Sequence, residues 1–185
     1  MGIAGWVVVA VIAIVILWAI ATYNRMIVLR NRIDNAWSQV DVQLRRRYDL
    51  IPNLVETVKG YAAHERQTFE EVTKARQAGI DARTVQDQAQ AENLITGALR
   101  RLFAVAEAYP QLRATENFTQ LQEELAGTEG KIAYARQFYN DSVLGYHNLI
   151  QAVPARIIAN MGGFKPRDYF EIEEPQARGP VQVQF

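Results

Sequence analysis

Cysteine is absent from this chain, and its absence excludes disulfides, thiolate metal sites and a thiol nucleophile. Histidine is nearly absent too: His64 and His147 are the only two, which limits what a metal or proton-transfer site could be built from. Net charge is missing as well. Twenty basic residues cancel twenty acidic ones, so no global field points toward nucleic acid or another polyanion. No charged side chain occurs in residues 3–21, and every Lys and Arg lies after Thr22. Neither Gly nor Pro interrupts the stretch between Ala21 and Arg47. Before the tail no alternating strand pattern exceeds a few residues, so a phosphate-cradling loop after a strand has no place to form.

What is present is first a membrane signal. Nineteen apolar or small residues at 3–21, at a rise of about 1.5 Å each, cover a hydrocarbon core of roughly 30 Å. Trp6 and Trp18 flank this run, with Tyr23 just outside, as the aromatic belts of the two interfaces require. Arg25, Arg30 and Arg32 supply the positive flank retained in the cytoplasm, so the expected orientation is N-terminus out and the bulk of the chain inside. Ala19-Ile20-Ala21 has the small-x-small look of a cleavage site. A cleaved signal peptide, however, carries its charge ahead of the apolar core, and here there is none. A retained single-pass anchor is expected.

The remainder reads as helix after helix. Phe118, Leu121, Leu125, Thr128, Ile132, Ala135, Tyr139, Ser142, Tyr146, Leu149 and Val153 recur at alternating spacings of three and four without a charge among them, which is a heptad seam. A second stripe, Ile33, Trp37, Val40, Leu44, Tyr48 and Ile51, continues the membrane helix in register. Pro52, with Asp49 three residues before it as an N-cap, predicts a tight turn or kink near Asp49. Leu54, Val58, Tyr61, Phe69 and Val72 form a third stripe ending near Gly79; Leu94, Ala98, Leu102, Val105 and Tyr109 form a fourth. Residues 86–90 fit either a loop or exposed first helical turns. The expected fold class is all-α: an anchor at 1–22, an antiparallel bundle of long helices at 23–165, and an irregular acidic tail at 166–185.

Several residues invite a chemical reading. His64-Glu65 begins like a zinc-protease helix, but position 68 is Thr where a second His is needed. One imidazole with carboxylates is a poor zinc site, so no metal and no cofactor is expected. Counted along the third stripe, Glu65 falls on the face of Val58 and Tyr61, which predicts that Glu65, with His64, is an interior polar anchor that fixes helix register, its partner being Tyr139, Asn35, Gln39 or an arginine. Arg45, Arg46 and Arg47 would stand about 24 residues, roughly 36 Å, beyond the interface on an unbroken helix, farther than a Debye length from the headgroups. No aromatic platform or groove-reading motif surrounds them, which argues against nucleic acid. They are expected to form either a salt-bridged helix surface or a contact between subunits, in the latter case facing Glu171, Glu173 and Glu174 of a neighbour. Phe164, Tyr169 and Phe170 are expected to lay the tail back on the bundle, and the alternating end at Phe185 has the pattern of a docking strand.

Long stretches of the chain resemble one family: 30–44 (RNRIDNAWSQVDVQL), 46–55 (RRYDLIPNLV), 61–65 (YAAHE), 106–110 (AEAYP), 120–125 (QLQEEL), Thr128-Glu129 and 136–141 (RQFYND). These are similar to the LemA family of bacterial membrane proteins. The resemblance implies one N-terminal membrane helix, a cytoplasmic bundle of long helices, and an accessory or organising role in the bacterial envelope rather than an established catalytic one. The expected function is therefore a non-enzymatic, membrane-anchored scaffold that self-associates. Its rivals are an accessory partner of a membrane protease or envelope-stress complex, and a weak hydrolase using His64 and Glu65.

Overall fold

The computed structural model describes residues 2–172, and the described chain forms six helices and no strand. They are α1 (Ile3–Lys59), α2 (Arg66–Asp81), α3 (Val85–Glu107), α4 (Pro110–Arg113), α5 (Glu116–Gln151) and α6 (Ala155–Met161). The expected all-α class is what is observed. Two compact units share the long helices: the described residues up to Asp41 with Tyr134–Tyr169, and Val42–Ala133 with the described residues from Phe170 onward.

In the first unit the start of α1 is the one helix among the described residues long and apolar enough to cross a membrane, and none of its most apolar stretch is buried by protein. Burial begins at Thr22 and Met26 and continues through Ile33, Ala36 and Val40, the helical spacing that presents one face to a partner. That partner is the second half of α5, which buries Ala135, Tyr139, Ser142, Val143, Tyr146 and Ile150. Trp37 meets Tyr139 at 5.3 Å between ring centroids, and the Arg32 guanidinium lies 5.1 Å from the Phe138 centroid. Val153, expected at the end of the seam, is 81% exposed, because α5 stops at Gln151.

After α6 the chain reverses in a Schellman turn. Phe164 N–H donates to the Ala159 carbonyl (2.9 Å) and Gly163 N–H to that of Asn160 (3.3 Å), with Gly163 at φ +69°, a conformation that favours glycine. The turn sets Phe164 edge-on against Tyr23, 5.3 Å between centroids. Tyr169 reaches His147 (5.3 Å), Tyr146 Oη donates to the Lys165 carbonyl (3.0 Å), and His147 Nε2 accepts from Arg167 N–H (3.0 Å). Phe164 and Tyr169 therefore hold this segment down as expected, and Phe170 is wholly buried in the second unit.

In the second unit α1 does not kink at Asp49 into a new helix. It runs through Pro52 to Lys59, burying Leu44, Tyr48, Ile51, Leu54 and Val58. Proline removes the N–H that would bond the carbonyl four residues back, which here is that of Tyr48. Arg76 replaces it: its Nε donates to the Tyr48 carbonyl at 2.7 Å. The actual break is at 60–65, where Tyr61 and Ala62 N–H both turn back onto the Val58 carbonyl (3.0 and 2.9 Å). α2 and α3 then form a hairpin. Thr84 caps α3, its hydroxyl accepting from Asp87 N–H (3.0 Å), so residues 86–90 are helical. The first half of α5 adds Phe118, Leu125, Thr128 and Ile132 to this core, with Phe118 against Phe103 at 6.3 Å.

Candidate functional site

The ionisable chemistry of the second unit converges on Glu92, which is wholly buried on α3. Arg47 Nη1 donates to its carboxylate at 2.7 Å, Tyr48 Oη donates to the other oxygen, and Gln88 Nε2 lies 3.4 Å from that same oxygen. Gln88 also donates to Tyr48 Oη at 2.6 Å and to the Gly79 carbonyl at 3.4 Å. Arg47 Nη2 completes the cluster with Thr96 Oγ1 (3.3 Å) and Glu129 (2.5 Å). The helix geometry explains the convergence: Gln88 and Glu92 are one turn apart on the same face, and Arg47 and Tyr48 are consecutive on the face of α1 that meets it.

Burial pushes the Glu92 carboxyl above its ordinary range, against the pull of Arg47 and of the hydrogen bonds it accepts. Burial likewise pushes the Tyr48 phenol up, and the neighbouring Glu92 charge adds to this. Such shifts also occur at proton-transfer sites. Here, however, the Tyr48 hydroxyl, the Gln88 amide and both terminal nitrogens of Arg47 are engaged within the cluster, Arg47 Nε alone among its buried donors lacks a partner, and Glu92 has no exposed surface. The arrangement locks α1 to α3. Gly79 belongs to the same lock, since a Cβ there would come within 2.6 Å of Tyr48 Oη; α2 passes the phenol only because that side chain is missing.

Beside the lock lies an open groove of ≈ 590 Å³ between α3 and α5. Leu99, Phe103, Leu125 and Ala126 give it an apolar floor, while Arg100, Glu107 and Glu129 charge its rim. Among the described residues no group of three or more His, Asp or Glu is placed to hold a metal ion.

The residues singled out from sequence fall apart in space. His64 and Glu65 are exposed in the break between α1 and α2, not interior, because the non-helical residues 60–65 reset the helical register between Val58 and Phe69. Glu65 precedes α2 but makes no side-chain cap. Tyr139 is interior, yet its hydroxyl donates to the Asp168 carbonyl (2.8 Å) and it belongs to the other unit. Burial pushes its phenol up to about 12, with Asp168 and Asp34 adding to the effect of burial and Arg167 opposing it. Arg45 and Arg46 are exposed, but Arg47 is turned into the lock, only 2% exposed, and lines the groove beside it. Glu171 is exposed; Glu173, Glu174 and Phe185 lie outside the described residues. Sequence reasoning missed Glu92, although the pair Gln88 and Glu92 shares its helical face with Ile95.

This chain is similar to two magnetosome proteins of Paramagnetospirillum magneticum (strain AMB-1), MamQ 1 and MamQ 2, each 25% identical over 86% of this chain and 68% of the relative. Magnetosome protein MamQ of Magnetospirillum gryphiswaldense is 24% identical over the same shares. The LemA family profile matches residues 36–185, which takes in the lock, the groove and most of the α1–α5 seam. By that match, the chain belongs to the LemA family.

Proposed function

We propose that this protein is a non-enzymatic assembly protein, anchored in the bacterial inner membrane by α1 with its helical units on the cytoplasmic side, and that copies associate through the second unit. The observation that carries this reading is the pairing of a sealed ionic lock with an open apolar groove. Arg47 and Glu92 are spent on holding helices together, while the floor of Leu99, Phe103, Leu125 and Ala126 stays open beneath a charged rim. Grooves of that kind take the apolar face of a helix. A second copy is the occupant proposed, because parallel anchors in one membrane present identical surfaces side by side, and repeated use of one patch pair builds a symmetric array that closes into a ring where the rotation between copies closes.

Charge complementarity supports the same occupant. Arg46 and Glu171 are both exposed and would face one another across such a contact, and the sequence extends that acidic stretch through Glu173 and Glu174. Rim pairs of this sort contribute little affinity but fix register. The experiment is cross-linking of the full-length protein in membranes. Ala126→Arg, which fills the groove from an exposed position, should abolish the cross-linked species without lowering thermal stability. Arg46→Glu should weaken it, and Glu173→Lys with Glu174→Lys in the same chain should restore part. Unchanged cross-linking in Ala126→Arg sinks the groove as the contact. The orientation is tested by a reporter fused after Phe185, which should be active only as a cytosolic enzyme.

A further inference from the structure

We propose that α6 and the turn after it form a second, interfacial membrane contact, lying in the headgroup layer of the same bilayer that α1 crosses. The inference rests on the membrane reading of α1 and on the first unit alone.

The placement follows from antiparallel packing. Trp37 on α1 touches Tyr139 on α5. Twelve residues beyond Tyr139, α5 ends at Gln151, and at about 1.5 Å per residue that is roughly 18 Å of helix. The same travel takes α1 back from Trp37 to Arg25, four residues past the end of the apolar run. The chain that continues from Gln151 is thus delivered to the level where α1 enters the bilayer. A separate contact agrees: the Schellman turn after α6 sets Phe164 against Tyr23, and Gly162 is close enough to Tyr23 that a Cβ would lie 3.1 Å from its ring.

At that level α6 and the turn before it show a face that water does not favour. Ala155 and Ala159 are buried inward, while Val153, Ile157 and Met161 are 81%, 61% and 84% exposed. Three large apolar side chains on a two-turn segment beside a membrane helix form the apolar half of an interfacial contact. The charge pattern supplies the other half. No carboxylate occurs before Asp34, and none between Asp141 and Asp168, whereas Arg25, Arg156 and Lys165 are exposed. Of the acids that this unit does carry, Asp34 lies nine residues beyond Arg25 on α1, roughly 13 Å along the helix, and its charge is paired with Arg167 at 3.0 Å. Basic groups at the headgroup level are attracted to anionic lipid. A bilayer containing anionic phospholipid is therefore the partner whose chemistry fits.

Because the chain has no cysteine, single cysteines can carry an environment-sensitive fluorophore at Ile12, Ile157, Met161 and Gln111 in turn. The full-length variants are reconstituted in vesicles of phosphatidylcholine and phosphatidylglycerol, then quenched by nitroxide-labelled lipid or by aqueous iodide. The expected result is strong lipid quenching and iodide protection at Ile157 and Met161, approaching Ile12, with the reverse at Gln111. Arg156→Glu with Lys165→Glu should lower lipid quenching at Ile157 several-fold and leave Ile12 unchanged. Iodide access at Ile157 and Met161 equal to that at Gln111 would overturn the proposal. So would protection from both quenchers, which would mean that protein covers the face. Loss of lipid quenching at Ile12 as well would instead overturn the membrane span on which the proposal stands.

Discussion

If Arg76 replaces the donor that Pro52 lacks, the two residues should be energetically coupled although their side chains differ in every other respect. Arg76→Met leaves the Tyr48 carbonyl, on a residue only 5% exposed, without the bond it now accepts at 2.7 Å. An orphaned buried acceptor costs about 1 to 3 kcal/mol, or a fall in melting temperature of about 2 to 12 °C for a domain of this size. Pro52→Ala restores a backbone N–H to that carbonyl, and Pro52 is exposed, so its ring leaves no cavity. In the Pro52→Ala background Arg76→Met should then cost no more than an ordinary surface change, about 0.5 kcal/mol or less. The assay is helical circular dichroism on the four proteins of the cycle, full length in one detergent. An equal cost of Arg76→Met in both backgrounds would refute the account, since independent sites add.

The lock makes a related prediction: Glu92→Leu should cost about 3 to 5 kcal/mol because it leaves Arg47 Nη1 and the Tyr48 hydroxyl without their buried acceptor, while Arg47→Met with Glu92→Leu should recover part of it; chemical unfolding in which the two losses simply add would contradict this. Gly79→Ala drives a methyl into the Tyr48 phenol and should cost about 1 to 3 kcal/mol, whereas Gly97→Ala, whose methyl meets nothing within 4 Å, should gain about 0.5 to 1 kcal/mol; equal thermal shifts would mean that the tight approach is not there. Tyr139 keeps its proton in the fold up to about pH 12, but in the unfolded chain only to about 10. Its contribution to stability is therefore complete below about pH 10 and lost as pH rises through 12. Melting points should fall across that window together with the ultraviolet signal of phenolate, and a flat profile with all tyrosines titrating near 10 would speak against the buried phenol.

The fold was legible where the sequence repeats a single physical pattern. The α5 seam could be read from spacing alone, because Leu125, Ile132, Tyr139 and Tyr146 all lie on the buried stripe. Pro52 misleads for a local reason: the rule that proline ends a helix assumes the freed carbonyl finds no other donor, and Arg76, distant in sequence, supplies one. Gly60 marks the true break more weakly, since a lone glycine is tolerated inside helices. Counting a stripe across it turned Glu65 inward when it faces solvent. Glu92 was illegible because buried charge looks like surface in a polar stretch; only its shared face with Gln88 and Ile95 hints otherwise. Arg47 was masked in the same way by Arg45 and Arg46, as three adjacent arginines read as one patch until the helix points one of them inward.

The central claim is that this chain works by assembling with copies of itself at a membrane. Its most direct test is the mass of the particle extracted from native membranes with the surrounding lipid retained, measured at membrane-like protein density. The account predicts a closed multimer of this chain, reduced to smaller species by Ala126→Arg. A monomer with unaltered thermal stability, from the unmodified protein, would contradict it.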